Sequence, residues 1–576
     1  MKLLPETSSS SVPLARQGYA LIMVMILSGA SLLVLGAALN WAAGSAQQSK
    51  RAIEFSNGAA ASEAAVEQVV SKMSRDYFEQ GEDYVDNQAS KYRKQTPSSK
   101  EDAIWANYQF SNLTDSKNRI SVNRLNAWNY RDVPGKYGGL KGYSTTYQVG
   151  CQARELSVEA SRVVTTSQEF SLLSIPICNY GIFYFMDLEI CPSTAMTFSG
   201  PVHANGNIYL EPQSELLFKG NVTASGKILQ QGSPLDPVHR KSGKVVFQME
   251  ADGGCKTLSM PLGTSNVPDQ LRALVEIPPA KESSSSALGE QRYYNRADLV
   301  VLIYDDRVEA TSGLYNRFRT KVTYLESAGI LRITGTMFDK RQNLTARLTE
   351  FDVAKFLENY NSLCWTLGRR PELIYLADLR AQDTRNFAAI RLINGQTLPY
   401  SGLTLATPNP IYLKGDYNVV PGMAGTANTS YSARAALVCD AITILSPTWD
   451  DKNDGKSLKN RRAVDVTVNA VVMSGIVPTR KGYYSGGVEN FFRYLEDWSE
   501  ATFTFNGSIV ALFDSRIAAA PWGATGDIYE PPKRRNWVYD ENLTREERLP
   551  AGTPELRCTC RGKLNVVLTD GTNRRL

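Results

Sequence analysis

Histidine is scarce in this chain of 576 residues, and that scarcity limits the chemistry it could perform. Only His203 and His239 are present. A Ser-His-Asp or Cys-His site would have to use one of them, and a metal site of several histidines is not expected. His203 lies within Gly-Pro-Val-His-Ala-Asn-Gly, where Asn205 is the one close neighbour that could assist it. We therefore expect His203 to be structural.

Two carboxylates offer another route to catalysis. Asp187 and Glu189 alternate on a predicted strand beside Cys191, so their side chains face one side of it. Paired carboxyl groups can cleave a glycosidic bond by acid–base chemistry. Charged residues on an exposed strand face are far more common than such pairs. The pattern predicts no catalytic residue, and a carboxylate-dependent enzyme acting on polysaccharide stays open as an alternative.

Two short motifs each lack residues that their chemistry needs. Asp450-Asp-Lys-Asn-Asp-Gly is similar to a calcium loop, but Lys452 stands where an oxygen ligand belongs and the bidentate Glu is missing. Gly486-Gly487 precedes a predicted helix but lacks the Lys-Ser/Thr of a phosphate-binding loop. We expect a solvated turn and a loop-to-helix junction here. The sequence thus predicts no metal ligand and no cofactor.

The most prominent element is an apolar run from Tyr19 to Ala43 that carries no charge. At about 1.5 Å per helical residue, such a run reaches roughly 37 Å, enough to cross a bilayer core. A signal peptide would have a shorter apolar region of roughly 7–15 residues. The run therefore predicts a retained membrane anchor, in which Gly29 and Gly36 permit close contact with other helices.

The residues before this run carry a processing motif. A polar leader, residues 1–18, ends in Arg-Gln-Gly, and the apolar helix starts with an aromatic residue. The pattern resembles the type IV prepilin signal, which implies cleavage between Gly18 and Tyr19. Most pilins carry Glu at the fifth mature position, where this chain has Met23. The resemblance therefore implies a minor pilin or pseudopilin, and a plain signal-anchor helix is the alternative.

The helix is expected to continue beyond the membrane to residue 80. Apolar side chains recur there at three- and four-residue steps and so share one helical face. They are Val66, Val69, Val70, Met73 and Tyr77. Asn57-Gly58 could kink the helix. Two β-rich stretches, 143–151 and 161–177, predict strands that would complete a pilin-like unit of helix on sheet; a separate soluble helix is the alternative.

An internal repeat begins where the composition becomes β-rich. Phe198-Ser-Gly-Pro-Val-His-Ala-Asn-Gly-Asn-Ile matches Phe218-Lys-Gly-Asn-Val-Thr-Ala-Ser-Gly-Lys-Ile at an offset of 20 residues. Short strands with glycine turns at such a period are typical of stacked β-rungs. In this alignment Thr223 occupies the place of His203. The pair predicts a hairpin or two rungs of a β-helix, and a β-sandwich is the alternative.

Two later stretches complete the expected elements. Residues 299–304 form a continuous apolar run that predicts a buried strand. A second stretch has apolar residues at helical spacing and predicts a helix with Glu496 on or near its opposite side. Its apolar residues are Val488, Phe491, Phe492, Leu495 and Trp498.

These elements predict an α+β chain with a long N-terminal transmembrane helix and a mainly β ectodomain. The expected parts are a prepilin-like leader (1–18), a transmembrane and extended helix (19–80), a pilin-like helix and sheet region (81–180), a β-rich ectodomain (181–530) and a Pro- and Arg-rich tail (531–576). Eight cysteines beyond a membrane helix suit an oxidising compartment and predict one to four disulfides. Burial as small apolar side chains is the alternative.

A second resemblance concerns the C-terminal half of the chain. Pro410-Ile-Tyr-Leu-Lys-Gly-Asp-Tyr-Asn, Gly507-Ser-Ile-Val-Ala-Leu-Phe and Pro531-Pro-Lys-Arg-Arg-Asn-Trp are similar to segments of large pilin-like surface proteins. Some of these are of the hormogonium polysaccharide-associated kind and others are PilX-like. The resemblance implies no catalytic residue. It implies adhesion, pilus assembly or polysaccharide contact.

The sequence therefore predicts a non-catalytic, membrane-anchored surface protein associated with a type IV pilus or pseudopilus. Its expected partners are other pilin or pseudopilin subunits, the membrane and extracellular polysaccharide. Nucleic acid is not expected, because 63 basic and 58 acidic residues are scattered and nearly balanced. The expected location is the inner membrane, crossed once, with the bulk in the periplasm or outside, on a pilus or the cell surface. A scaffold stacking through open β-rungs is a further alternative.

Overall fold

The computed structural model describes residues 19–134, 137, 139–156, 162–238, 240, 243–316, 318–520, 522–523 and 526–569. Its first element is one α-helix of 62 residues, α1 (Tyr19–Gln80). Two short helices follow, α2 (Glu82–Asn87) and α3 (Ala89–Tyr92). Helix α1 ends at Gln80, and the φ of 92° at the next residue, Gly81, lies in the left-handed region that favours glycine. The helix is continuous through Asn57 and Gly58, so the kink considered there does not interrupt it.

Helix α1 packs on an antiparallel sheet. The first five strands belong to it: β1 (Tyr108–Ser111), β2 (Ser121–Arg124), β3 (Asn129–Asp132), β4 (Lys141–Glu155) and β5 (Val163–Pro176). Strand β4 pairs with β1, β2 and β3 on one side and with β5 on the other. The far side of β5 pairs with the last strand of the chain, Glu555–Thr569. The strand predicted at 143–151 is confirmed by β4, and the strand or pair of strands predicted at 161–177 is the single strand β5. Residue 161 lies outside the described residues.

Ten short strands come next: β6 (Ile182–Tyr184), β7 (Leu188–Ile190), β8 (Met196–Phe198), β9 (Val202–Ala204), β10 (Ile208–Leu210), β11 (Glu215–Phe218), β12 (Val222–Ala224), β13 (Ile228–Leu229), β14 (Lys244–Phe247) and β15 (Ala251–Asp252). They form three parallel stacks, β6-β9-β12-β15, β7-β10-β13 and β8-β11-β14. Val202 pairs with Val222, and His203 pairs with Thr223. The two copies of the repeat thus lie as successive parallel layers, not as a hairpin.

The next segment mixes helices and strands: α4 (Pro268–Leu271), α5 (Ala287–Gln291), α6 (Tyr293–Arg296), β16 (Leu299–Ile303), β17 (Val308–Ser312), β18 (Leu331–Asp339), β19 (Leu344–Asp352), α7 (Val353–Glu358) and α8 (Tyr360–Leu367). The buried strand predicted at 299–304 is confirmed by β16. Asp352 caps α7 because its carboxylate accepts a hydrogen bond from the amide of Lys355.

The chain then alternates between two sheets with β20 (Leu373–Asp378), β21 (Asn386–Ile393), β22 (Leu403–Ala406), β23 (Ile411–Lys414), β24 (Ala435–Cys439), β25 (Ile442–Leu445), β26 (Val466–Ile476), β27 (Phe492–Tyr494) and β28 (Thr502–Asp514). Even-numbered strands extend β16 in parallel, and odd-numbered strands extend β19 in parallel. Strand β28 finally pairs with β6, which joins the two halves of the β-rich region. Strands β29 (Arg534–Tyr539) and β30 (Glu555–Thr569) follow.

Side chains repeated from layer to layer fill the interior. Phe198, Phe218 and Phe247 stack with ring centroids 5.7 and 5.3 Å apart. Glycine is required where layers approach most closely: a Cβ on Gly226 would lie 2.4 Å from Oδ1 of Asn207 in the preceding layer. Glycine at this position of the repeat therefore lets successive layers pack closely, with no side chain between them.

The helix predicted over 488–498 is wrong. A single 3-10 turn, Gly487–Asn490, leads into strand β27, which pairs in parallel with β25. The apolar spacing predicted a helix incorrectly because Phe491, Phe492 and Leu495 are all buried. A strand that is buried on both faces does not show the alternation of apolar and polar residues that would identify it. Glu496 is buried as well, and accepts a hydrogen bond from the Ser446 amide at 2.6 Å.

The disulfides predicted from the even cysteine count are not supported. The structure shows no disulfide among the described residues, and six of the eight cysteines are buried. Their burial fits the alternative that they are small apolar side chains. The segment 531–576, expected as a tail, contributes β29 beside β28 and β30 beside β5 within its described part. The domain boundaries themselves stay predictions.

Candidate functional site

The first half of α1 projects from the rest of the protein. Tyr19 is 82% exposed and Met23 67% exposed, and Ala43 is exposed as well. Nothing lies within 4 Å of the position where a Cβ on Gly29 or Gly36 would be. The most apolar window of the helix has a mean hydropathy of 2.4, so the helix is long and apolar enough to cross a membrane. Gly18, the predicted cleavage residue, lies outside the described residues.

The second half of α1 is buried against β4 and β5. The predicted apolar face is confirmed, since Val69 and Met73 are fully buried and Tyr77 is 1% exposed. The Tyr77 hydroxyl donates to the carbonyl oxygen of Leu173 at 2.7 Å, and Ser62 Oγ lies 2.6 Å from Thr166 Oγ1. One helix thus combines an exposed apolar first half with a second half that is buried in the protein core.

Gly58 marks the point where the helix meets the sheet. A Cβ at Gly58 would lie 2.5 Å from Cγ2 of Val164, which is 1% exposed. We predict that Gly58→Ala destabilises the docked helix by about 1–3 kcal/mol, although alanine is the better helix former. Hydrogen–deuterium exchange of the helix amides measures this change. Gly44→Ala, in open space, is the control and should not reduce protection; Val164→Ala should rescue Gly58→Ala.

The last strand, β30, contacts the C-terminal end of α1 through two arginine side chains. Arg557 Nη1 donates to the carbonyl oxygens of Tyr77 and Phe78, both at 3.0 Å. These carbonyls belong to the helix C-terminus, where a cation is favourable. The Tyr77 carbonyl also accepts from the Gly81 amide at 3.0 Å. Arg561 forms an ion pair with Glu67 at 2.6 Å, about half exposed, which contributes little. Strand β30 therefore holds both the sheet and the helix.

His203 has a structural environment. Its Nδ1 lies 2.8 Å from Thr223 Oγ1, and its Nε2 lies 3.1 Å from Asn205 Oδ1. The ring stacks on Phe183, with centroids 5.2 Å apart. Burial lowers the pKa of His203 to about 4, so the imidazole is neutral at physiological pH. Both ring nitrogens are engaged, which leaves neither free to serve a reacting group.

The carboxylates of the predicted pair have different environments. Asp187 Oδ1 accepts a hydrogen bond from the Asn207 amide at 2.6 Å, and Asn207 in turn accepts one from Lys227. Asp187 therefore ties one layer to the next. Glu189 is 8% exposed, and its Oε2 has no hydrogen-bond partner among the described residues. Both line a cavity of about 440 Å³ together with Asp514.

Burial raises the pKa of Glu189 to about 7. This pKa is higher than that of a glutamate in the unfolded chain, near 4.5. The contribution of Glu189 to the free energy of unfolding is therefore fully present below about pH 4.5, and it is lost as the pH rises through the folded-state pKa of about 7. We predict that Glu189→Gln raises the unfolding free energy by about 2 kcal/mol at pH 8 and leaves it unchanged at pH 4. Urea unfolding at the two pH values checks this, with exposed Glu250→Gln as the control.

The two remaining motifs are structural as well. Asp451 forms an ion pair with Arg391 at 2.6 Å, and Asp454 accepts from the Phe338 amide. Within the described ranges, no group of three or more His, Cys, Asp or Glu side chains could hold a metal ion. Gly486 and Gly487 both have positive φ, and a Cβ on Gly487 would meet the Glu189 carbonyl oxygen at 2.5 Å. These glycines permit close packing.

No protein-family model and no curated protein matches the chain. Among solved structures, the competence-associated pilin ComZ from Thermus thermophilus is similar at 12% identity and a TM-score of 0.31. The match covers 89% of this chain and 98% of that chain. A likeness at this TM-score does not establish a shared fold, so the interpretation below rests on α1 and its sheet.

Sequence reasoning missed two kinds of residue. Buried ionic residues such as Asp440 and Arg272 join segments far apart in the chain, and no local pattern marks them. Exposed aromatic residues in loops, such as Tyr400 and Tyr431, were also missed. Their exposure could have been predicted in part from the sequence. Both tyrosines stand between proline or serine residues in a turn, with no apolar pattern beside them that would indicate burial.

Proposed function

We propose that this protein is a pilin-like, single-pass membrane protein that assembles with other pilin or pseudopilin subunits through α1. The observation that carries the proposal is one continuous helix, apolar and exposed from Tyr19 onward and docked on an antiparallel sheet from Gly58 onward. An exposed apolar helix of this length requires lipid or other apolar helices around it. The docked half fixes the large β-rich region to that anchor.

Processing and subunit type follow from the N-terminal residues. We propose cleavage between Gly18 and Tyr19, as the prepilin resemblance implies. Met23 at the fifth mature position supports a minor subunit, since the chain lacks the Glu found there in most pilins. Gly29 and Gly36 leave room for close helix contacts within the membrane or a filament. The bulk of the chain then lies in the periplasm or on the cell or pilus surface.

The β-rich region acts without catalysis in this proposal. Its parallel layers, repeated every 20 residues over β6 to β12, support a β-solenoid whose loops present a surface for adhesion, assembly or polysaccharide contact. His203 is neutral and engaged at both nitrogens, and Asp187 bridges layers. These contacts favour structural roles for the residues most suited to chemistry.

Photo-crosslinking in cells that contain a type IV pilus system tests the assembly role. A photoreactive amino acid replaces Leu32, which is 68% exposed in the apolar half of α1. The matched control carries it at Phe318, which is 90% exposed and far along the chain. We expect adducts between Leu32 and other subunits that share an N-terminal pilin helix, with none from Phe318. Adducts with lipid alone, or with unrelated proteins, would contradict assembly through α1.

A further inference from the structure

A broad groove lies on one edge of the β-rich region. Its volume is about 770 Å³, within the range of ligand sites. The loops that connect β21 to β22 and β23 to β24 form most of its walls, and a segment before β30 adds Glu547 and Arg548. These two loops connect the same pair of sheets in successive layers, so they lie side by side. Loops held by a rigid scaffold are a common place for binding residues.

Two tyrosines on these loops face solvent. Tyr400 is 99% exposed and Tyr431 is 79% exposed, and both line the groove. The protein buries many of its other tyrosines, including Tyr412 and Tyr417 in neighbouring strands and turns. An aromatic ring left wholly in water gains nothing for folding and offers a flat apolar face with a polar tip. Such rings are suited to stack on the apolar face of a sugar ring.

Arginines give the groove its charge. Arg370 is exposed and has no ion-pair partner among the described residues. Arg548 donates to the carbonyl oxygen of Ser432 at 2.6 Å and likewise meets no carboxylate in the described part of the chain. Arg434 is partly neutralised by Glu372 at 3.2 Å. The walls thus carry three arginines against Glu547, and two guanidinium groups remain available for a carboxylate.

We propose that this groove binds a segment of an acidic polysaccharide, with Tyr400 and Tyr431 stacking on sugar rings and Arg370 and Arg548 pairing with uronate carboxylates. Gln396, Thr397 and Ser430 line the same walls and offer hydrogen bonds to sugar hydroxyl groups. The biological use of the site rests on the proposed function, because α1 must place the groove outside the cytoplasm. Binding itself requires only the groove.

Isothermal titration of the full chain in detergent micelles tests the site with a hexamer of galacturonic acid. A neutral galactose hexamer and a dT hexanucleotide serve as competing ligands. We expect saturable binding of the acidic hexamer, weakened about fivefold by Tyr400→Ala or Tyr431→Ala and about tenfold by Arg370→Ala. Phe318→Ala and Arg462→Ala are the matched controls, since both residues are exposed and line no part of the groove. They should leave the affinity unchanged.

Three results would overturn the proposal. The first is the absence of saturable binding of the acidic hexamer at millimolar concentration. The second is equal affinity for the neutral hexamer, which would remove the role of the arginines. The third is tighter binding of the oligonucleotide through the same residues, which would assign the groove to nucleic acid. Each result is independent of crosslinking through α1, so failure of the groove and failure of the pilin-like anchor can be told apart.

Discussion

Replacing Val69 with aspartate is expected to detach the second half of α1 from its sheet. Val69 is fully buried among Ala65, Met73 and the side chains of β4 and β5. The substitution removes a buried valine and places a carboxylate in an apolar core. The loss is on the order of 4 kcal/mol. Hydrogen–deuterium exchange of the amides in residues 58–80 should therefore accelerate roughly 10³-fold.

Ala60→Asp is the matched control, because it adds the same carboxylate to the same helix at an exposed position. It should leave the exchange of these amides within a few-fold of the wild-type rate. If Val69→Asp exchanged no faster than Ala60→Asp, the docked helix would not depend on this apolar face. The account of α1 as half anchor and half core helix would then fail.

Asp440→Ala is expected to destabilise the β-rich region by about 3–5 kcal/mol, because it removes one partner of a buried ion pair. Asp440 is fully buried, and its carboxylate accepts hydrogen bonds from Arg272, itself 4% exposed. It also accepts from the backbone amides of Arg516 and Ala518, at 2.8 and 2.9 Å. The substitution leaves these amides without their acceptor and removes the fully buried partner of the guanidinium, which keeps only the half-exposed Glu276 at 3.2 Å as a carboxylate partner. Denaturant unfolding followed by tryptophan fluorescence measures the loss.

Two variants give this prediction its controls. Asp306→Ala removes an ion pair with Arg307 that is mostly exposed, and should cost less than about 1 kcal/mol. Arg272→Leu combined with Asp440→Leu removes both charges and should recover the part of the loss that comes from the charge, while the backbone amides still lack their acceptor. An unfolding midpoint for Asp440→Ala that equals that of Asp306→Ala would show that the buried pair is unimportant.

Local sequence patterns predicted the elements that depend on neighbours in the chain. The stripe from Val66 to Tyr77 predicted the buried face of α1, because burial alone decides which side of an amphipathic helix faces the sheet. The repeat at 198–208 and 218–228 predicted neighbouring layers, because each rung needs the same apolar and glycine positions. A third copy at 182–190 was missed. Ile182 pairs with Val202, and Leu188 pairs with Ile208. The segment 182–190 otherwise shares few residues with the two copies that follow it.

Pairings between distant segments could not be predicted. Strand β6 pairs with β28 more than 300 residues later, and β5 pairs with β30 near the end of the chain. Strand β6 carries no mark of its partner, since parallel buried strands are apolar on both faces. The alternation in antiparallel β5 marks which face is buried but not which strand it pairs with. The same uniformity led to a helix being predicted over 488–498. The groove was missed because its residues come from four connecting segments that only the layered fold brings together.

Intact-mass analysis of the membrane-extracted protein tests the central claim most directly. The chain is expressed with and without an active prepilin peptidase, beside a known prepilin as a processing control. The account predicts a mature chain that begins at Tyr19 only when the peptidase is present. A chain that retains residues 1–18 while the control prepilin is cleaved would contradict a pilin-like pathway and leave a plain signal-anchored ectodomain.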